Sequence, residues 1–476
     1  MTLAELEHKS ILILGFGVEG QSTYIFLRNR FPDSQLGIAD RKSLQNANLP
    51  DVVASTVERD ANLRFHGGSE YLSCLSSYDV VVKSPGIPPS TPELVQFQAH
   101  GGIITSHLEI FLDVAGPQHV IGVTGTKGKS TTASLIHRLL TGAGIDSILG
   151  GNIGAPPLAN IDAIRLGRCW WVLELSSYQL DQLRVSPHIA VLLGVMPEHL
   201  GVHDPSISYV HHRDFASYAG AKERITRYQN PDDILIFNAD NDVASEIAHR
   251  SRARLLPVSQ TTEPADGSFV RNAKLMYSKG GVADEIIDAA QIHLLGRFNQ
   301  INVMAAVTVA LLVGVPKESI NRSVSAFSGL PHRLEFVREV SGVKFYDDSI
   351  STIPQATINA LDALGDRVST IILGGHDRGN DFSELAAYLI KKQVRHLLLF
   401  APSGLRIWKA LEQQGSLGFP LPSPHFVTSM QEAVDIALSC TVSGDICLLS
   451  PASSSYGMFK NFEARGIAFQ KAIPSA

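Results

Sequence analysis

The residues best suited to chemistry are gathered in His119-Val-Ile-Gly-Val-Thr-Gly-Thr-Lys-Gly-Lys-Ser-Thr131. Gly125, Thr126, Lys127 and Gly128 form a short loop between an apolar run, Val120 to Val123, and a helical pattern opening with Lys129, Ser130 and Thr131. Amide groups at a helix start, a lysine and neighbouring hydroxyls make a cradle for phosphate, with Ser130 or Thr131 suited to Mg²⁺. The spacing is G-x-x-G-K-S, and Val123 stands where the common G-x-x-x-x-G-K-[ST] pattern has its first glycine. A glycine turn without a ligand is the plain alternative; the coincidence of lysine, hydroxyls, strand and helix speaks against it. Glu174 lies inside the apolar run Trp170 to Leu175, where a carboxylate is costly unless paired or bound to a cation. Gly15, Gly17 and Gly20 form G-x-G-x-x-G after Ile11 to Leu14, and Asp40 stands 20 residues beyond Gly20. That is the spacing of a dinucleotide site with its acid at a ribose hydroxyl, although the glycines alone also serve tight helix–strand packing.

These groups need a scaffold, and the chain supplies three α/β segments. At 476 residues, a prior of ~150 residues per domain gives about three domains. Residues 1–116 read as a small Rossmann-like domain, with strands at 11–14, 36–39 and 80–82, a helix over 21–30 and the loop Lys83-Ser-Pro-Gly-Ile-Pro-Pro89 at a strand's carboxyl end. Residues 117–331 read as a P-loop ATPase-like domain. Its strands lie at 120–123, 170–175, 189–195 and 234–238, a helix carries Lys222, short strands and turns fill 251–295, and a helix covers 299–312 with Asn299 and Asn302 in its first turn. Residues 332–476 read as a second Rossmann-like unit, with strands at 343–347, 370–374, 396–400 and 446–450. Polar clusters at Asp347–Thr352, Gly374–Asp381 and Ser450–Ser455 follow three of these strands, so all three emerge at one edge of a parallel sheet. The bland alternative is three polar loops with no shared task.

The net charge of −6 offers no basic field for nucleic acid and no polybasic membrane patch. The four cysteines, Cys74, Cys169, Cys440 and Cys447, lack C-x-x-C spacing, so neither a zinc knuckle nor a disulfide framework is expected. No run approaches the ~20 apolar residues of a membrane span, and no signal peptide is read at the start. A cytoplasmic chain acting on a small molecule is expected, without nucleic-acid or membrane partners.

The chain resembles the Mur ligases, the ATP-dependent amide-forming enzymes of peptidoglycan precursor synthesis. The resemblance covers nearly the whole sequence and rests on Gly125-Thr-Lys-Gly-Lys-Ser-Thr131, Gly151-Asn-Ile-Gly154, Glu174-Leu-Ser-Ser-Tyr-Gln-Leu180, Glu198-His-Leu200, Ala221-Lys222, Asn299-x-x-Asn302, His332-Arg333 and Asp348-Ser349. Leu173–Leu180 and Leu449–Gly466 look most like the branch that joins glutamate to UDP-N-acetylmuramoyl-L-alanine. The resemblance implies that the first domain holds a UDP-sugar, with Gly15 and Gly17 in its diphosphate turn, Asp40 and Arg41 near uracil and ribose, and Ser84 and Asn152 near the diphosphate. It implies ATP at residues 125–131, with Lys129 on the terminal phosphate, Asn299 near the adenine, Asn302 beside it, and Arg333 and Asp348 reaching in from the third domain. It implies Mg²⁺ held by Ser130 or Thr131 and Glu174, a second metal at His199, and Lys222 as a bridging carbamate; Lys129, Glu174, His199 and Lys222 are its catalytic set. Read without the resemblance, Lys222 is a helix-surface lysine and His199 a satisfied histidine. Thr352, Arg378, Ser455 and Phe462 match positions around the glutamate, and a monomer is expected.

Three departures stand out. Gly201 to Ser208 looks like an insertion that lengthens the spacing from His199 to Lys222 to 23 residues. Phe298 precedes Asn299 where the family has an Asn-His pair. Ile350 stands where ligases for D-glutamate have a lysine, and Arg378 is the residue able to compensate, since guanidinium binds carboxylate bidentately. Some relatives with isoleucine here accept L-glutamate, so D-glutamate is expected first and L-glutamate second. An NAD-dependent oxidoreductase would use Gly15–Gly20 and Asp40 but leaves the second phosphate loop idle. A non-enzymatic ATP switch would leave the 348–352 and 450–455 clusters idle.

Overall fold

Apolar runs bounded by glycine and polar turns become the strands of three sheets. The structure is a computed structural model and describes residues 2–43, 49–163, 169–197, 211–294, 296, 298–415 and 420–475. The first sheet contains β1 (Ile11–Leu14), β2 (Leu36–Asp40), β3 (Leu63–Gly67), β4 (Val80–Lys83) and β5 (Ile103–Thr105), all parallel in the order β3-β2-β1-β4-β5. Every residue of β1 is buried, as expected for a parallel strand covered on both faces.

The second sheet has nine strands: β6 (Val120–Thr124), β7 (Ser147–Gly151), β8 (Trp170–Glu174), β9 (Ile189–Leu192), β10 (Ile234–Asn238), β11 (Arg254–Ser259), β12 (Gly267–Arg271), β13 (Lys274–Lys279) and β14 (Val282–Asp288). Their order is β14-β13-β12-β11-β10-β9-β6-β8-β7, parallel from β7 through β12 and antiparallel beyond. β6 therefore sits between β8 and β9, which places the phosphate loop beside the carboxyl end that carries Glu174.

The third sheet is β15 (Glu335–Val340), β16 (Val343–Asp347), β17 (Val368–Gly374), β18 (His396–Phe400), β19 (Ser423–Val427) and β20 (Ile446–Leu449), ordered β15-β16-β20-β17-β18-β19. Only the β15–β16 pair is antiparallel.

Residues 1–292 with 298–326 form one compact unit containing the first two sheets; residues 293–297 with 327–476 form the other. Inside the first unit one apolar core runs across both sheets. The helix His107–Ala115 is the wedge between them. Phe111 meets Trp171 edge to face at 4.6 Å between centroids, a geometry worth about 1 kcal/mol beyond the area it buries. Arg184 clasps Glu109 with both ends of its guanidinium, at 3.0 and 2.9 Å. Buried His107 is neutral: Nε2 accepts from Leu158 N, so Nδ1 donates to Thr23, and burial pushes its pKa down to about 3. These links fix the glycine-turn edges of the two sheets relative to each other.

The expected strand over 189–195 stops at Leu192. Beyond it, Val195 N donates to Asn241 Oδ1 and Met196 N to Thr126 Oγ1, so side chains take the donors that a ladder would use. The strands over 11–14, 234–238, 343–347 and 396–400 match the expected bounds, and the others agree within two residues. No helix among the described residues is long and apolar enough to cross a membrane.

Candidate active site

The loop after β6 is shaped by its glycines and by what crowds them. Gly128, the residue before the helix Lys129–Gly142, has φ +85°, and that helix start lacks a side-chain cap, leaving its first amides for an anion. A Cβ on Gly128 would lie 2.2 Å from Asn302 Oδ1. Asn302 is buried on the helix Phe298–Val313 and donates to Asn299 Oδ1 at 2.8 Å. The two asparagines therefore brace the loop from below. Lys129 folds back, donating to Gly125 O at 3.1 Å and Thr126 O at 2.9 Å. The Thr126 hydroxyl accepts from Met196 N at 2.9 Å and meets Tyr218 OH at 3.1 Å. Lys127 is exposed, Ser130 half-buried and Thr131 buried.

Glu174 ends β8 and is 2% exposed. Its Oε1 accepts from Asn152 Nδ2 at 2.8 Å, while Oε2 is buried with no hydrogen-bond partner. Leaving a buried carboxylate oxygen bare costs several kcal/mol (roughly 1–3 even for a neutral group), a cost that a bound cation would remove. Lys222 lies on the helix Phe215–Arg227, 1% exposed, and donates to Gly125 O at 2.7 Å with its ammonium 4.7 Å from the Tyr218 ring centre. Lys222 and Lys129 thus meet at one carbonyl. The buried stripe of Tyr218, Ala221 and Ile225 also takes in Lys222, at helical spacing. His199 lies outside the described residues.

At the edge of the first sheet, Gly15 has φ +91° and a Cβ there would fall 2.6 Å from Ser84 Oγ, which donates to Gly15 O at 3.0 Å. Gly17 precedes the helix Val18–Arg30, which also lacks a side-chain cap. Asp40 accepts from Phe16 N at 2.7 Å and from Lys42 N at 2.8 Å, so it orders the turn that Gly15 opens; Arg41 beside it is exposed. Sequence reasoning missed Lys83. It is buried, donates to Ser84 O at 3.2 Å and Ile87 O at 2.8 Å, and burial holds its pKa down to about 8 against the pull of Asp181 and Glu19. Glu19 in turn accepts from Gln179 at 2.6 Å, tying the first glycine turn to the segment after Glu174.

In the second unit the three polar loops do converge. Ser450 Oγ donates to Asp348 Oδ2 at 2.8 Å, Gly374 N to Pro451 O at 2.8 Å, and His376 N to Ser454 O at 2.9 Å. Asp348 is buried and accepts further bonds from Ser351 Oγ and Leu334 N; burial raises its pKa to about 6 against those bonds and the nearby Arg333. Arg333 is half-buried, with Nε lacking a partner. Thr352 and Phe462 are half-buried, Ser455 is buried, and Arg378 is exposed over the Tyr456 ring at 5.5 Å. Ile350, half-buried, uses its backbone N–H on His332 O. Arg465 was not foreseen as a site residue. Only 3% exposed, it donates to Ser349 Oγ at 3.0 Å, Ser349 O at 2.8 Å and Ser453 O at 2.9 Å, clamping two of the loops. Its signal was the buried stripe Arg465, Gly466, Phe469 and Ala472 on the helix Phe462–Ala472.

Sequence profiles match along the chain: a Mur ligase MurD-like N-terminal domain over residues 9–106, a Mur ligase middle domain over 123–310 and a Mur ligase glutamate ligase domain over 332–453. UDP-N-acetylmuramoylalanine–D-glutamate ligase of Acetivibrio thermocellus is 33% identical, the alignment covering 99% of this chain and 97% of that protein. The enzyme of the same name from Symbiobacterium thermophilum is 37% identical over 85% of this chain and 86% of its own length. Among solved structures, UDP-N-acetylmuramate-alanine ligase MurC of Thermotoga maritima superposes with a TM-score of 0.53 at 16% identity, covering 98% of this chain and 99% of the other. A UDP-N-acetylmuramoyl-L-alanyl-D-glutamate–2,6-diaminopimelate ligase gives 0.54 at 18% identity, covering 97% and 91%. These two likenesses concern the fold alone.

Proposed function

The chain belongs to the Mur ligase family, and we propose that it is the ATP-dependent ligase joining glutamate, as the D enantiomer, to UDP-N-acetylmuramoyl-L-alanine in peptidoglycan precursor synthesis. The observation that carries this reading is the buried pairing of the G-x-x-G-K-S loop with Glu174, whose free oxygen faces no protein partner. The alanyl carboxylate attacks the γ-phosphorus of ATP, ADP leaves, and an acyl phosphate forms. The glutamate amine then attacks the acyl carbon, and phosphate leaves from the tetrahedral intermediate.

Each residue has a task in that sequence. Lys129, released from Gly125 and Thr126, meets the terminal phosphate, while the uncapped amides at Lys129–Thr131 hold the remaining charge. Mg²⁺, when bound, screens the phosphates so that an anionic carboxylate can approach. Glu174, Ser130 or Thr131, and Lys222 as its carbamate are the residues to hold it, with His199 on a second ion. Asn299 and Asn302 support the adenine side, and Arg333 and Asp348 contribute from the third domain. Gly15, Gly17, Asp40, Arg41, Ser84 and Asn152 hold the UDP-sugar; Asn152 also orients Glu174, so substrate and metal share one amide. Thr352, Arg378, Ser455 and Phe462 receive the amino acid. We place the domain boundaries near residues 116 and 331, and the reading implies a cytoplasmic monomer with no nucleic-acid or membrane partner.

Ile350 favours one second reading, the same ligation with L-glutamate, because this half-buried position offers no cation to a substrate carboxylate. The test is phosphate release from ATP with UDP-N-acetylmuramoyl-L-alanine, run without amino acid and with each glutamate enantiomer. Release dependent on D-glutamate is expected. Release dependent on L-glutamate alone moves the assignment to the second reading, and no amino-acid dependence overturns both.

A further inference from the structure

The amino-terminal edge of the third sheet carries a cluster that ligation does not use. His396 opens β18, His425 lies within β19, and Cys440 ends the helix Met430–Cys440. β18 and β19 are parallel, with His396 opposite Ser423 and Leu398 opposite His425. Side chains two apart on a strand share a face, so both imidazoles stand on the face of Leu398. That face packs against Met430, Ala433, Val434 and Ala437 of the helix, whose last turn delivers the Cys440 thiol.

One nitrogen of each imidazole and the Cys440 Sγ all lie within 4.8 Å of one another. His396 Nδ1 and His425 Nε2 are both buried without a hydrogen-bond partner, with ring centres 5.7 Å apart. A bare buried polar atom costs about 1–3 kcal/mol, and two of them beside one thiol call for a shared ligand. The Cys440 thiol makes a long 4.0 Å contact with Ala437 O and lies against the Thr370 and Thr441 hydroxyls, weak contacts that a metal–sulfur bond would replace. The second such cluster among the described residues, His332, Glu335 and Asp347, differs: His332 Nδ1 is bonded to Asp347 at 2.7 Å and Gln470 bonds both acids.

We propose that His396, His425 and Cys440 form a binding site for one borderline-soft divalent cation of the Zn²⁺ class, distinct from the phosphate-loop magnesium. Two imidazoles and a thiolate select Zn²⁺ or Co²⁺ over the hard Mg²⁺, which prefers oxygen. Metal–nitrogen bonds of about 2.0–2.1 Å and metal–sulfur bonds of about 2.3 Å set ligand separations of roughly 3.3–3.6 Å in a tetrahedron. The three side chains therefore close inward by about an ångström, leaving the fourth position to water. Burial, with His425 and Arg395 beside it, lowers the His396 pKa, and the neutral imidazole is the form that binds a metal. Burial raises the Cys440 thiol, so the cation must displace its proton: thiol plus M²⁺ gives the metal thiolate and one H⁺. The facing charges are Arg395, half-answered by Asp445 at 3.6 Å, and the neutral Thr370–Thr441 hydroxyl pair. Once filled, the site fastens edge strand β19 to its neighbour and to the covering helix.

The test is a Co²⁺ titration of the full-length, chelator-treated protein, followed by displacement with Zn²⁺. One equivalent per chain should bring sulfur-to-cobalt charge-transfer bands and the visible spectrum of a tetrahedral site, with about one proton released. Cys440→Ser should lose the charge-transfer bands, and His396→Ala or His425→Ala should bind about tenfold more weakly or worse. Zn²⁺ should raise the melting temperature of the wild type and leave that of Cys440→Ser unchanged. Absence of the bands in the wild type, or their persistence in both Cys440→Ser and His425→Ala, overturns the site. If Cys440→Ser does not fold, the two histidine variants, checked by circular dichroism, decide by the same criterion.

Discussion

Replacing Gly128 with alanine tests the bracing of the phosphate loop. The residue sits at φ +85°, a conformation that costs an L side chain about 1–2 kcal/mol. The new Cβ would also lie 2.2 Å from Asn302 Oδ1 and 2.9 Å from its Cγ and Nδ2. Asn302 is 4% exposed and tied to Asn299, so it cannot swing aside without breaking that bond, at about 1 kcal/mol, and crowding its neighbours, at about 1–3 kcal/mol. The single variant should therefore lose roughly 3–6 kcal/mol, of which only the conformational part survives when Asn302 is also alanine. A double-mutant cycle should show a coupling of about 2–4 kcal/mol, the broken bond and the crowding together. Urea unfolding followed by tryptophan fluorescence is suited to this, since Trp170 and Trp171 lie on β8, next to β6. The KM for ATP should follow the same pattern, raised by Gly128→Ala and partly restored in the double variant. Additive effects, within about 0.5 kcal/mol, would refute the claim that Asn302 sets the shape of the loop.

Lys129→Ala should abolish phosphate release while leaving UDP-sugar affinity within about twofold, read by calorimetry; comparable loss of both would put the two substrates in one site. Lys222 should carry CO₂: activity should fall in CO₂-depleted buffer and recover with bicarbonate, the adduct appearing in intact-protein spectra, and indifference on both counts removes the carbamate. Asp348 binds its proton more tightly when folded, at a pKa of about 6 against 3.8 for the free group. The stabilisation tied to that proton is complete below about pH 4 and is lost as pH rises through about 6, amounting to roughly 3 kcal/mol. Asp348→Asn should remove that slope from urea-unfolding free energies measured across this range; parallel curves for the two proteins would refute the assignment.

Much of the scaffold was legible because the phosphate and polar clusters follow short apolar runs. Val120–Thr124, Trp170–Glu174 and Val343–Asp347 are buried parallel strands whose polar residues begin where the ladder ends. The exception, 189–195, ends early because Asn241 and Thr126 take its amides from distant positions that no local pattern reveals. The side chains were less legible where partners come from afar. Lys222 reads as a surface lysine until its place in the stripe Tyr218, Ala221, Ile225 is counted. Lys83 looks like the polar end of a strand, yet its bonds hold the following loop in shape. Asp40 stood out by its spacing alone, whereas its bonds to Phe16 N and Lys42 N depend on two turns meeting.

Under the proposed placement of the amino acid, Arg465 bears on how the specificity of such a ligase can change over time. Its guanidinium fastens backbone at Ser349 to backbone at Ser453, more than a hundred residues away. Exchanging either loop alone for that of a relative would strand buried donors of a charged group, a loss that selection would meet before any new preference appeared. The two loops and the helix that carries Arg465 must therefore be inherited, or transplanted by an engineer, as a single cassette.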